Sequence, residues 1–412
     1  MTGPATFRLW IGFGEKIFDD TRLASDGNWV DVTDYVRFAD FRTSSRRSQF
    51  DTFAGGTGQF TLDNQTRLFD PGYSSGTYFG EFKRNTPVRV TAEHSSTRYE
   101  VWRGAARKWN PFYKGSFDSI TTLYCEDMLG VISAYELPQI SAAHDGDTTA
   151  TRIGRVLDEV GHPSAYRSLG NGGAGGGHSS TTWGDNALSH MVQIATADGG
   201  MIYADRDGTI THDSRSAGGL TTRQNTSQVT FGHDSEPKYL PKGAGWQGVG
   251  DDFRDLVRVQ AGAGPIQEID NSTTNDAPVV FQRLGTSLNS DAQAATAAQF
   301  YADLYRTDRM YPVTVKVRVA TNSEDLRTVL LPRRLRDRAT VTHDPPGAGS
   351  DLSSDVFIDG ISHIVDPTTG DWTASYTFSS ADQYDGLDGP PSTWMVLGTE
   401  TTSELGVGTL GY

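Results

Sequence analysis

Apolar and polar residues alternate over short runs in the first 125 residues of the chain. Such alternation predicts strands with one buried face. The apolar members of these runs are Phe7-Leu9-Ile11, Val30-Val32, Phe60-Leu62, Val88-Val90-Ala92 and Tyr99-Val101. Turn-forming clusters such as Asp70-Pro71-Gly72 separate the runs. The pattern predicts a β-barrel or sandwich module at the amino end.

The spacing of apolar residues changes to a helical period from about Thr148. The apolar positions are Ile153, Val156, Leu157 and Val160. Asp147-Thr148-Thr149 supplies capping residues, and Gly161-His162-Pro163 predicts the end of this helix. A second helix is predicted from Asp185 to Ala197, and we expect the two helices to pack together. Asp205-Arg206-Asp207-Gly208 then predicts a tight turn between two short strands, so the middle of the chain reads as mixed α and β.

Strand patterns return at Leu256–Ala261 and most clearly at Val313–Val319, where four valines alternate with polar residues. Between them an alanine-rich helix is predicted over Ser290–Thr307, which we expect to pack on the middle region. The last prediction is a hairpin of Val356–Val365 and Trp372–Phe378, joined by a loop with proline and glycine. The Gly-, Thr- and Pro-rich remainder predicts an extended carboxyl-terminal tail.

Composition excludes several classes of function. Lysine and arginine total 36 against 51 acidic residues, so the formal net charge is -15 and sequence-specific nucleic-acid binding is disfavoured. Cys125 is the one cysteine, which rules out an intrachain disulfide framework and a multi-cysteine zinc site, and we expect it to be a small buried residue. The amino terminus lacks a signal pattern, and no apolar run approaches a membrane span, so we expect a chain made in the cytoplasm with no membrane anchoring.

Motifs that would carry chemistry are weak. Gly170, Gly172 and Gly175 have dinucleotide-binding spacing, but no strand precedes them and no helix opening follows, so a flexible loop is the favoured interpretation. Asp205 and Asp207 lack the later ligands of a calcium loop and are better explained by a turn. Three neighbouring acidic residues could form a carboxylate cluster that binds a metal or takes part in acid-base catalysis: Asp251, Asp252 and Asp255. A solvated loop is the favoured interpretation.

Other candidate residues also have plainer structural explanations. His178, His190 and His212 lack metal-ligand spacing and are expected to be hydrogen-bonded structural residues. Cys125 could be a nucleophile only if a histidine lies beside it in space. Four tryptophans could stack on sugars but are more typical of core or interface anchors: Trp102, Trp109, Trp183 and Trp372.

One basic cluster could contact phosphate or an acidic neighbour. Its cationic members are Arg333, Arg334, Arg336 and Arg338. We favour a subunit interface or a solvated strand edge for this run over a nucleic-acid contact, because edge strands commonly carry charge.

Several spaced segments resemble one family. They are Trp29-Val30-Asp31-Val32-Thr33-Asp34-Tyr35-Val36, Ala54-Gly55-Gly56-Thr57-Gly58-Gln59-Phe60-Thr61-Leu62-Asp63-Asn64, Leu68-Phe69-Asp70-Pro71, Thr86-Pro87-Val88-Arg89-Val90 and Trp102-Arg103-Gly104. Together they are similar to the hub-type minor tail proteins of long-tailed actinobacteriophages. The mixed middle and the late hairpin also resemble that family, so the resemblance covers most of the chain.

The resemblance implies a mainly β protein with an α/β insert, in which two tail-tube-like β-barrel domains flank a mixed α/β domain. The first tube-like domain is expected at residues 1–125. The middle domain is expected at 126–225, joined by 265–312, and the second tube-like domain at 226–264 and 313–382. Residues 383–412 form the expected tail.

The implied function is structural: a trimeric hub ring at the tail tip of the virion, with no catalytic residues, cofactor or metal carried over. Its implied partners are further copies of the chain, a distal tail or tail tube protein, the tape measure protein and other tip or fibre proteins. DNA would pass only transiently through the channel, and an acidic wall would let it slide without sticking. The alternatives are a hexameric distal tail protein, an adhesin for a host receptor or cell-wall glycan, and, least favoured, a cell-wall hydrolase.

Overall fold

A short amphipathic strand needs a neighbouring strand to hydrogen-bond its backbone N–H and C=O groups. In this protein most of the strands meet that need by joining one large sheet. The computed structural model describes residues 6–19, 28–94, 96–115, 118–139, 141–142, 145–170, 177–184, 186–214, 222–232, 237, 239–248, 252–272, 277–307, 309–319, 329–347, 349, 351–381 and 384. Strands dominate these residues and helices are few, which confirms the predicted mainly β fold with a mixed α/β middle.

The strands are β1 Thr6–Ile11, β2 Val30–Asp31, β3 Val36–Arg42, β4 Thr57–Asp63, β5 Pro87–His94, β6 Thr97–Lys114, β7 Asp118–Asp127, β8 Ser141–Ala142, β9 Arg167–Leu169, β10 Thr181–Thr182, β11 Met201–Ala204, β12 Ile210–Asp213, β13 Thr230–Phe231, β14 Tyr239–Gln247, β15 Leu256–Ala261, β16 Ile266–Asp270, β17 Val280–Thr286, β18 Tyr311–Arg318, β19 Arg338–His343, β20 Leu352–Asp366 and β21 Asp371–Ser380. The helices are α1 Met128–Ser133, α2 Thr149–Val160, α3 Ala187–Ala197, α4 Thr222–Asn225 and α5 Asp291–Leu304.

Thirteen of the described strands form one sheet. Its main path runs β14-β18-β21-β20-β3-β4-β7-β6-β5-β1-β2, with β13 and β19 attached beside β20. The two strand-rich regions at the ends of the chain meet where β20 pairs antiparallel with β3, through residues 362–365 and 39–42. Sequence alone gave no reason to expect this continuity, because the paired strands are more than 300 residues apart.

The predicted helices are confirmed, with clear end signals. Thr148 caps α2 by accepting a bond from the backbone N–H of Thr151, and Gly161 ends it in the left-handed region at φ 80°. The next helix, α3, begins at Ala187 with Asn186 as its cap, and the two helices pack against each other as expected. Short α1 follows directly from β7 and was not predicted; Asp127 caps it.

A smaller unit is built from β15, β16 and β17 with α5 against one face. Its core is separate from the main one and contains Val257, Val259, Phe281, Tyr301 and several alanines of α5. The strand Leu256–Ala261 thus pairs with its neighbours in sequence and lies outside the large sheet. The helix α5 reaches the middle region through the Tyr301 hydroxyl, which donates to the carbonyl of Thr196. The domain boundaries drawn from the sequence stay a prediction.

The main core fills the inner side of the large sheet. Leu9, Phe41, Phe60, Trp102 and Tyr376 are almost fully buried within it. The buried faces of α1, α2 and α3 belong to the same cluster, so helices and sheet share one core. Within the described residues, no helix has both the length and the apolar character needed to cross a membrane.

Candidate functional site

The histidines considered as metal ligands are buried and tied to the local fold. The Nε2 of His178 lies 2.9 Å from the hydroxyl of Thr149, and its Nδ1 lies 2.8 Å from that of Ser287. Burial, with a smaller effect of the Arg152 charge, lowers the pKa of His178 to about 4. His190 and His212 are also buried, and no group of three or more potential metal ligands occurs in the part of the chain that the structure describes. The prediction that these histidines are structural fits this geometry.

The Asp-Gly segment is a turn, as predicted. Gly208, at φ 84°, donates its N–H to the carbonyl of Asp205 and joins β11 to β12. The Arg334 guanidinium lies 3.0 Å from the Asp205 carboxylate, so this carboxylate is engaged in an ion pair within the chain. Burial, together with the nearby charge of Asp207, raises the pKa of Asp205 to about 6.

The interpretation of the acidic run at 251–255 as a solvated loop is wrong for its two described members. Asp252 and Asp255 are both buried. Asp255 accepts a bond from the backbone N–H of Val279 at 2.7 Å, and Asp252 accepts one from the side-chain amide of Gln247. These carboxylates hold neighbouring chain segments in place, which their sequence spacing did not reveal. Asp251 lies outside the described residues, as do Gly172 and Gly175 of the glycine-rich run.

The interpretation of the basic run as a solvated strand edge is also wrong. Arg333, Arg336 and Arg338 are buried, and each lies within ion-pair distance of a carboxylate. The carboxylates belong to Asp337, Asp359 and Asp355 respectively. Arg336 adopts a left-handed backbone conformation, held by its N–H bond to the carbonyl of Ile358. The neighbouring arginines of this run therefore form ion pairs with three different carboxylates.

One of these pairs forms a buried triad that ties the two ends of the chain together. The Asp359 carboxylate lies 2.6 Å from Arg46 and 2.9 Å from Arg336, and all three side chains are about 2% exposed. Burial alone would raise the pKa of Asp359, but the two guanidinium charges outweigh it and hold the pKa below its usual value. Arg46 follows β3 and Asp359 lies on β20, so the triad spans the junction of the two strand-rich regions.

The remaining candidates belong to the core. Cys125 is buried, and burial raises the pKa of its thiol well above the usual value, which does not suit a nucleophile. Trp102, Trp183 and Trp372 are buried, and Trp109 is partly buried against the same core. Their rings are therefore anchors and are not available for stacking on a glycan.

The feature with the clearest potential for function is the open face of the large sheet. We define it as the side of β18, β21, β20, β3, β4 and β7 that points away from the core. Its half-buried and exposed residues include Lys316, Arg318, Thr373, Ser375, Ser362, Ile364, Phe38, Asp40, Arg42, Gln59 and Tyr124. Along β21 the buried Trp372, Ala374, Tyr376 and Phe378 alternate with outward residues, and β3 alternates in the same way from Phe38 to Arg42.

The open face carries both signs of charge. Arg42, Lys316 and Arg318 lie on it together with Asp40, while hydroxyl and amide side chains fill most of the positions between them. The face is therefore mixed in charge, and the acidic channel wall stays a prediction. The alternation of Thr373, Ser375 and Thr377 with buried residues was visible in the sequence, but nothing there placed Arg42 beside them.

Comparison with known proteins supports the fold. No family model and no curated protein matches the chain by sequence. Among solved structures, a tail protein from Neisseria meningitidis MC58 superposes with a TM-score of 0.57 at 12% identity, covering 90% of this chain and 96% of that one. The 43 kDa tail protein of prophage MuSo2 from Shewanella oneidensis gives a TM-score of 0.57 at 12% identity, covering 92% and 99%.

A looser likeness exists to an E. coli component of the type VI secretion system, with a TM-score of 0.44 at 10% identity over 84% of this chain and 73% of that one. That overlap is too loose to support an inference. The two tail proteins match nearly end to end, so the chain shares its overall fold with phage tail proteins.

Proposed function

We propose that the chain is a non-catalytic structural subunit of a phage virion, and that it forms a trimeric hub ring at the tail tip. In this role it joins the tail tube to distal tip proteins and encloses the channel through which the tape measure protein and DNA leave. The resemblance of its sequence segments points to phages of actinobacteria with long, non-contractile tails as the source.

The observation that carries the proposal is the single sheet that crosses both strand-rich regions. Each region contributes mainly antiparallel strands, and the β3–β20 pairing joins the two side by side with one shared open face. Three such chains would place six strand-rich regions around one axis, which matches a hexameric tube. A closed ring also covers exposed strand edges, which otherwise invite mispairing. The near full-length superposition on two tail proteins supports this choice of fold.

The alternative structural role is a hexameric distal tail ring. The adhesin and hydrolase alternatives lose support, because the tryptophans considered for glycan stacking lie in the core and the candidate nucleophile Cys125 is buried.

Subunit number tests the proposal. Native mass spectrometry of the purified chain should give an assembly of three 44.8 kDa subunits, whereas six would favour the distal tail alternative. Immunogold labelling of virions with an antibody to the chain should mark the end of the tail away from the capsid. A stable monomer at high concentration, or label elsewhere on the virion, would contradict the hub assignment.

A further inference from the structure

A groove lies on the open face, lined by residues of β3, of the segment that follows it, and of β18, β20 and β21. Its volume is about 340 Å³. Five hydroxyl side chains line it: Ser45, Thr314, Ser362, Ser375 and Thr377. Two exposed arginines, Arg42 and Arg47, stand at its side. We call this feature the seam groove, because it lies at the junction of the two strand-rich regions.

Strand register places Arg42 and two hydroxyls of the seam groove in one line with Lys316, which lies on the same open face but does not line the groove. Lys316 pairs with Ser375, Ser375 with Ser362, and Ser362 with Arg42, on four adjacent strands. Three interstrand steps of roughly 4.8 Å separate the end members by about 14 Å. Lys316 and Arg42 therefore bracket two hydroxyl groups that point to the same side of the sheet.

Arg42, Arg47 and the neighbouring Lys316 differ from the other cations of this region. Arg46 is directed into the core toward Asp359, and Arg318 pairs with Asp371. In contrast, no carboxylate of the described residues lies within ion-pair distance of Arg42, Arg47 or Lys316. No carboxylate lines the groove either. The groove of this acidic chain thus combines positive charge and hydroxyl groups with the apolar side chains of Val313, Ile361 and Phe378.

This chemistry fits phosphate oxygens. Guanidinium, ammonium and hydroxyl groups are the usual donors to the DNA backbone, and contacts to phosphate are independent of base sequence. The separation of Lys316 and Arg42 is close to the width of the DNA major groove, about 12 Å, so each cation can reach a phosphate on a different strand. The site lies on the face of a sheet, with no helix in the described part of the chain placed to enter a DNA groove and read bases, so selectivity for sequence is not expected.

We propose that the seam groove is a contact site for the phosphodiester backbone of DNA, used without sequence specificity and only weakly. The inference rests on the proposed hub function for its source of DNA, since the open face would then line the channel. A few cations on an otherwise acidic protein bind DNA weakly, and this binding weakens further as the salt concentration rises. Weak binding suits a surface along which DNA must move. The channel wall would therefore not be uniformly repulsive.

The test measures fluorescence anisotropy of a short fluorescein-labelled DNA duplex titrated with the full chain in its purified assembly. If three cations each neutralise a phosphate, the slope of log K against log salt concentration is about -2.7, or roughly a 40-fold loss of affinity between 50 and 200 mM salt. The variant R42Q/R47Q/K316Q should flatten the slope by about 2 to 3. Two duplexes of unrelated sequence should bind alike.

A matched control removes three positive charges from the surface outside the groove. The variant K16Q/K83Q/K114Q changes three exposed lysines outside the groove and should bind DNA as the parent does. Equal losses in both variants would show a net-charge effect and overturn the site. Absence of DNA binding by the parent, or preference for poly-glutamate over DNA at the groove, would overturn it too. Subunit number and tail-tip labelling do not depend on these outcomes, so the hub proposal can survive failure of the groove.

Discussion

The buried triad at the chain junction gives the sharpest stability prediction. The change is Asp359→Asn, which keeps the size of the side chain but removes the charge that both Arg46 and Arg336 face. Two guanidinium groups with about 2% exposure are then left without their carboxylate. Removing one partner of a buried ion pair costs about 3–5 kcal/mol of unfolding free energy, and we expect a loss in that range.

Urea unfolding followed by circular dichroism and tryptophan fluorescence measures this loss. The matched control is Asp371→Asn, whose carboxylate pairs with Arg318 while both side chains are about half exposed. An exposed pair is worth about 0–1 kcal/mol, so the control should unfold almost as the parent does. A third variant, Arg46→Met, leaves a neutral Arg336–Asp359 pair and should fall between the two. If Asp359→Asn is no more costly than Asp371→Asn, the triad does not stabilise the junction and the reasoning fails.

Two further predictions concern the core. Burial, and to a smaller extent the charge of Arg206, lowers the pKa of His363 from 6.5 to about 3. The unfolded chain then binds this proton more readily, so the contribution of His363 to stability is present above pH 6.5 and is lost as pH falls from 6.5 toward 3. His363→Phe should reduce the pH slope of the unfolding free energy by up to about 1.4 kcal/mol per pH unit, and an unchanged slope in urea titrations at several pH values would count against a buried neutral histidine. At Gly104 an added Cβ would lie 2.2 Å from the backbone oxygen of Glu126, so Gly104→Ala should lower stability by about 1–3 kcal/mol. Gly248→Ala, which meets nothing within 4 Å, should leave the melting temperature nearly unchanged, and equal melting of the two variants would refute the close approach.

Local signals in the sequence were sufficient for local structure. The cap at Thr148 and the glycine at 161 gave the bounds of α2, and the valine alternation after residue 312 gave β18. The final hairpin also follows from its turn residues. In each case the interactions that determine the element act between residues close in sequence, so a short stretch of sequence is enough to predict it.

The junction and the site could not be predicted in the same way. Arg336 is buried in an ion pair with Asp359, which Arg46 also contacts. Nothing in the sequence near the arginine run indicates that Arg46 belongs to this group. The seam groove needs Arg42 to meet Ser362, which only the long-range register supplies. The strand Leu256–Ala261 illustrates a related limit: its alternation is real, but alternation does not say which sheet a strand joins.

The pairing of β3 with β20 has a consequence for synthesis of the protein. Thr43 and Ile361, which exchange hydrogen bonds at this junction, are 318 residues apart. At a translation rate of about 5–20 residues per second, one edge of β3 stays without its partner strand for roughly 15–60 s after it leaves the ribosome. Nascent chains therefore carry an open strand edge through most of their synthesis, and crowded polysomes put many such edges near one another. Completion of the fold waits for the last hairpin, so a message truncated before codon 352 would yield chains prone to aggregate.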